Sequence, residues 1–199
     1  MGFRYPCLLH PIPLPKIWGG NALAKEWRKP FETLQKIGES LELSVFPEDP
    51  AVDSIVANGN EAGKPLSHLL QAWGIVSPFP LLIKMIEAWQ VLSVQNHPTE
   101  IQQESKPIPG KTEAWYILSA VPGAGVYKGF LRDTCETEVR TLIQENRITE
   151  ILQWIPVQAG DFIYVPAGTI HAIDQGVMLL EVQQRTQITY RVYDWGRLG

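Results

Sequence analysis

Four histidines occur in the 199 residues, and two of them stand among side chains of the types that bind metal ions. His97 closes the segment Leu92-Ser93-Val94-Gln95-Asn96-His97-Pro98, and His171 follows the corner Pro166-Ala167-Gly168-Thr169. Side chains two apart in a strand share a face, so Gln95 and His97 point the same way, and Pro98 stops the strand just beyond them. By the same rule Lys111 and Glu113 share a face in Gly110-Lys111-Thr112-Glu113. Two neutral imidazoles, one carboxylate and one amide oxygen suit a borderline divalent ion such as Zn²⁺. A single carboxylate leaves such a site with net positive charge, able to polarise a carbonyl or enediolate oxygen. The same residues also fit a plainer reading, in which they are polar rim groups hydrogen-bonded to one another. His10, in a proline-rich lead, and His68, on an exposed-looking helix, read as surface residues.

The elements that must position these groups are mostly strands. From Val91 onward the segments 91–97, 114–119, 126–130, 162–165, 177–183 and 189–193 are short, β-branched or aromatic, and mostly bounded by Pro or Gly. That spacing predicts a sandwich or barrel. Residues 136–153 interrupt it and read as two short helices, with Val139, Leu142 and Ile143 inward on the first and Ile148, Ile151 and Leu152 on the second. In the N-terminal part, 31–37 reads as a short helix ended by Gly38, and 65–73 as a helix stopped at Gly74. The run 79–86 suits a buried element of either type. Residues 1–75 are expected to be a mixed segment packed on a barrel formed by 76–199.

Composition narrows the function classes. Apolar residues make up 45% and the net charge is −4, so a core can form and no basic stripe marks nucleic-acid or membrane binding. Cys7 and Cys135 are far apart and in no metal-binding or redox spacing, which fits reduced thiols in the cytoplasm. Prolines at 6, 11 and 13 break the N-terminal stretch, which does not read as a signal peptide, and no apolar run is long enough to span a bilayer.

With these residues in view, the chain resembles type I mannose-6-phosphate isomerases, most closely their short bacterial form. The resemblance is carried by Leu92–Pro98, Gly110–Glu113, Pro166–Ala172 and Thr189-Tyr190-Arg191-Val192-Tyr193-Asp194. It extends to Ile17-Trp18-Gly19-Gly20, Gly38-Glu39-Ser40 and Pro80-Leu81-Leu82-Ile83-Lys84. It implies an all-β dominated fold, a cupin jelly-roll β-barrel with a few short helices packed on it. It further implies one Zn²⁺ per chain held by Gln95, His97, Glu113 and His171, and a phosphorylated sugar as the small-molecule partner. The implied reaction interconverts mannose 6-phosphate and fructose 6-phosphate through an enediol. Arg191 matches a catalytic arginine, Lys111 an active-site lysine and Lys84 a substrate-binding pocket lysine.

Physical chemistry agrees with those roles. Moving a proton between C1 and C2 needs a base and fixed positive charge beside the developing oxyanion. An arginine keeps its charge at any working pH, and Lys111 is a candidate proton shuttle. Structural readings stand beside these: Arg191 bridging to Glu181 or Asp194, Lys84 snorkelling from the barrel edge, and Arg185 and Arg197 solvated or paired. Two departures from the family pattern matter. Gln187 stands where an acid usually lies four residues before the arginine, so ring opening would need another group or metal-bound water, or would be left to solution. The chain also stops shortly after Asp194-Trp195-Gly196-Arg197 where family chains continue into a C-terminal β-domain, which leaves an apolar face open to self-association as a homodimer. Two other functions fit the same fold, an isomerase of a different phosphosugar and a non-catalytic sugar-binding cupin.

Overall fold

Strand Glu113–Ala120 (β7) shows in small how the fold is built: Glu113, Trp115 and Ile117 are buried while Tyr116 and Ser119 face outward. The computed structural model describes residues 5–31, 35–75, 78–100 and 109–197. Within these, most strands fall into two antiparallel sheets. A six-stranded sheet runs in the order β10 (Phe162–Val165), β7, β12 (Val177–Gln184), β5 (Leu81–Ala88), β3 (Ile37–Leu43) and β2 (Ile12–Gly20). A five-stranded sheet runs β13 (Tyr190–Tyr193), β6 (Val94–Asn96), β11 (His171–Ile173), β8 (Gly125–Phe130) and β9 (Leu152–Pro156). A small ladder pairs β1 (Leu9–His10) with β4 (Ile55–Val56).

The main core draws on both sheets. Trp115, Ile117, Val165, Ile86 and Leu179 come from the larger one and meet Val126 and Ile173 from the smaller. Each fully buried side chain of this size contributes about 1.5–3 kcal/mol, which is what presses the two layers together. At one end the apolar filling gives way to buried polar groups: His97, Lys111, Glu113, His171, Glu181 and Gln183. Charged groups are seldom so buried unless they pair or hold an ion, so that end of the barrel is where function is to be sought.

Several sequence expectations change on contact with the structure. Ile37 and Gly38 lie in β3 rather than ending a helix, and residues 32–34 of that expected helix lie outside the described residues. The first helix of 136–153 is present as α3 (Glu136–Gln144), but the second is only a 3₁₀ turn over Ile148–Glu150, after which Leu152 begins β9. The strand expected over 91–97 is regular only across β6. Helix α2 (Leu66–Ala72) lies inside the expected 65–73. The N-terminal residues do more than pack against a barrel, because β2 and β3 extend the larger sheet itself.

β2 and β3 approach each other more closely than side chains allow. A Cβ on Gly19 would lie 2.4 Å from the backbone nitrogen of Gly38. Gly19→Ala therefore forces the two strands apart, and an overpacking cost of about 1–3 kcal/mol should lower the thermal unfolding midpoint by roughly 2–10 °C. An unchanged midpoint in a calorimetric scan would show that the strands separate freely.

Candidate metal centre

The candidate ligand residues of the polar end lie in or beside short strands, mostly at their ends. Glu113 is the first residue of β7, in register with Val165 on one side and Gln183 on the other. His171 opens β11 directly opposite Gln95 of β6, and Gln95 in turn lies opposite Arg191 of β13. Directly opposed residues of antiparallel strands share a face, so Arg191, Gln95 and His171 form a row across three strands. His97 stands one residue beyond β6, and its carbonyl accepts the Gly168 N–H at 2.9 Å. Gly168 has φ +84°, and the Thr169 N–H donates to the Pro166 carbonyl at 3.1 Å, so the corner is a tight turn needing glycine at that point. That turn ties the two histidine-bearing segments together.

His97, Glu113 and His171 offer ligand atoms that all lie within 4.8 Å of one another. His97 Nε2 is 3.1 Å from Glu113 Oε1, and His171 Nε2 is 3.7 Å from Glu113 Oε2. Both imidazoles are turned the same way by carbonyls: His97 Nδ1 lies 3.0 Å from the Ile188 oxygen and His171 Nδ1 2.8 Å from the Thr169 oxygen. A carbonyl only accepts, so each Nδ1 carries the proton and each Nε2 presents a lone pair inward. Among the described residues, Glu113 Oε2 and His171 Nε2 have no hydrogen-bond partner, although both are buried. Lone pairs gathered this way, without donors to match, are what a cation satisfies.

One cation does reach in. The Lys111 ammonium lies 2.6 Å from Glu113 Oε1 and 3.0 Å from His97 Nε2. Burial works against the Glu113 carboxylate, but His97 and the Lys111 charge outweigh it and hold its pKa well below the usual carboxylate range. Burial pushes His171 down to about 4 against the pull of Glu113, so its ring is neutral near pH 7.

Through Glu113 the set borders a cavity of about 190 Å³, also lined by Gln95, Lys111, Lys84, Glu181 and Arg191 among others. An adjoining cavity of about 140 Å³ shares Lys16, Glu39, Lys84, Lys111 and Thr189 with it and adds Gln187. Lys84 does not snorkel outward: it lies 3.0 Å from Glu181 and 3.8 Å from Glu39. Burial disfavours its charge, but Glu181, Glu39 and Glu113 outweigh that and raise its pKa. Glu181 moves up, chiefly by burial and then by the negative charge of Glu113. The bridge of Arg191 to Glu181 is not formed; Arg191 pairs with Asp194 at 3.7 Å. Arg185 binds Glu48 and the Val45 carbonyl, and Arg197 binds Asp194, so both are paired away from the cavity.

Comparison with known proteins bears on what this arrangement is. No family model matches the chain. The mannose-6-phosphate isomerase of Streptococcus mutans serotype c is 44% identical over 201 residues, covering 96% of this chain. The chain is a homologue of mannose-6-phosphate isomerases. The homology holds in three dimensions: the mannose 6-phosphate isomerase of Bacillus subtilis superposes with a TM-score of 0.85 at 35% identity over 98% of this chain and 63% of that one. A mannose 6-phosphate isomerase crystallised with zinc and yttrium shares the fold alone, with a TM-score of 0.65 at 15% identity. The cupin barrel expected from sequence is therefore the fold observed. The chain spans about three fifths of the length of the curated relatives it matches, 61% for the streptococcal homologue.

Three cavity residues had no site role in the sequence reading: Lys16, Glu39, which entered only within the matching segment Gly38-Glu39-Ser40, and Glu181, which entered only as a partner for Arg191. Glu181 left a signal, an acid on the inward side of a strand whose other inward residues include Val177 and Leu179.

Proposed function

We propose that this chain is a metal-dependent aldose–ketose isomerase that interconverts mannose 6-phosphate and fructose 6-phosphate through an enediol. The observation that carries the reading is the convergence of His97, Glu113 and His171 on one point beside a cavity that also holds Lys111, Lys84, Glu181 and Arg191. His97, Glu113 and His171, joined by Gln95 from the neighbouring register position, would hold a divalent ion; two imidazoles with two oxygen donors favour zinc. When bound, such an ion supplies positive charge that polarises the substrate carbonyl.

The chain's own residues supply the rest. Lys111 reaches the ligand set and, as the free amine, takes the C2 proton of the open aldose; the ammonium so formed returns it at C1 while the C2 hydroxyl proton passes to the former carbonyl oxygen on C1. Glu181, the carboxylate paired with Lys84, can take the anomeric hydroxyl proton and pass it to the ring oxygen as the pyranose opens, in the role for which Gln187 is unsuited. Lys84, held charged by Glu181 and Glu39, orients a hydroxyl. Trp18, Ile86, Leu92 and Ile173 line the same cavity and exclude water from the enediol. Arg191 offers a planar fork of donors to the anionic oxygens of the substrate.

The test is a coupled assay for fructose 6-phosphate with metal-loaded chain, chelated chain and chelated chain given metal back. Turnover that disappears and returns supports the isomerase. No turnover combined with tight sugar-phosphate binding would favour the sugar-binding cupin instead. Arg191→Ala is expected to cut kcat/KM by about 100-fold or more with metal content unchanged, and Arg191→Lys to recover only part of it, because a point charge replaces a fork.

A further inference from the structure

We propose that Lys16 seats the phosphate of the substrate and sets the preference for a phosphorylated over a neutral sugar; this rests on the isomerase reading. The cavity lies between two sheet edges. β2 ends the larger sheet and contributes Lys16 and Trp18, and β13 ends the smaller and contributes Arg191, with Thr189 just before it. Four cations and three carboxylates line it: Lys16, Lys84, Lys111 and Arg191 against Glu39, Glu113 and Glu181.

The four cations differ in depth. The side chains of Lys84 and Lys111 are 12% and 5% exposed, whereas those of Lys16 and Arg191 are 36% and 60% exposed. They differ in engagement as well. Lys84 and Lys111 are held at 3.0 and 2.6 Å by carboxylates, but Lys16 lies 3.7 Å from Glu39 and Arg191 3.7 Å from Asp194, which also binds Arg197. The reacting carbons must reach Lys111 and the ligand set, so the strongly hydrated dianion is left at the mouth. There the cations most weakly engaged by carboxylates are Lys16 and Arg191, on opposite sides.

The lysine is also aimed. A Cβ on Gly38 would lie 2.7 Å from both Cβ and Cγ of Lys16, so the bare backbone of β3 lets the lysine stem lie across it. The ammonium is then directed toward Glu39 and the cavity rather than into solvent. A neutral sugar makes no use of this charge, which is why the lysine discriminates.

The test compares metal-loaded wild type, Lys16→Met and Lys16→Arg, with thermal unfolding to check that all three fold. The expected result is a rise of about tenfold or more in KM for mannose 6-phosphate with kcat within about twofold in Lys16→Met. Competitive inhibition by inorganic phosphate should weaken by a similar factor, and Lys16→Arg should restore both. An unchanged KM and phosphate inhibition constant would overturn the proposal, and so would a fall in kcat at constant KM, which would put Lys16 at the reacting carbons. If the wild type turns over no mannose 6-phosphate, it is the isomerase reading that fails. Calorimetric binding of inorganic phosphate then decides Lys16 by itself: weaker binding in Lys16→Met upholds the seat and equal binding removes it.

Discussion

Glu113→Ala is expected to lose its divalent ion during dialysis against metal-free buffer, with affinity lowered by more than about 100-fold. Altering groups that only orient metal ligands already costs 10–100-fold, and Glu113 is placed to be a ligand, the only carboxylate among the three converging residues. His171→Ala should behave alike, since its buried Nε2 has no hydrogen-bond partner among the described residues. His68→Ala, at an exposed histidine, should keep the ion. The alanine at 113 also leaves Lys111 buried without its carboxylate, so the variant should unfold at lower temperature. Glu113→Gln, of the same shape, separates the two effects by keeping the packing and losing the charge. Element analysis of the dialysed proteins reads the outcome, and full metal content in both Glu113 variants would remove this carboxylate from the site.

Lys111→Met should abolish nearly all turnover while leaving the ion in place. General acid–base catalysis contributes about 10²–10⁴-fold, and the loss in kcat should fall in that range if Lys111 carries the proton between C1 and C2. Lys111→Arg keeps the charge but cannot give up its proton in the working range, so it should be equally slow. Metal content in Lys111→Met should equal or exceed that of the wild type, because the ammonium no longer sits 2.6 Å from Glu113 and 3.0 Å from His97. A loss of less than about tenfold, read by the coupled assay at saturating substrate, would hand the proton transfer to another group, with Glu181 next in line.

How much of this could be read beforehand depends on how far each feature reaches along the chain. β10 was legible because Gly160-Asp161 and Pro166 bound a β-branched and aromatic run, and the observed strand is Phe162–Val165. β2 was hidden by its prolines. Pro13, Pro15 and Ile17 are exposed and alternate with the inward Leu14, Lys16 and Trp18, a strand periodicity that an edge position tolerates because that edge needs no donors. β3 was hidden by Gly38, Glu39 and Glu42, residue types depleted in strands: Gly38 makes room for Lys16 and Trp18, Glu39 lines the cavity and Glu42 pairs with Lys29. The second expected helix of 136–153 failed for a different reason: Ile148, Ile151 and Leu152 fit helical spacing, but Leu152 pairs with Phe130 across the sheet. The proposed ligand residues were legible because two-residue spacing and a proline corner are local. Lys16 and Glu181 were not, since what they do depends on strands more than 60 residues away, such as β5 with Lys84 for Lys16 and β7 with Trp115 for Glu181.

Anomalous diffraction from crystals grown with zinc tests the central claim most directly. One anomalous peak in each chain, bonded to His97 Nε2, His171 Nε2, a Glu113 carboxylate oxygen and the Gln95 amide oxygen, is the expected result. A peak elsewhere, or an ion held without Glu113, would contradict it.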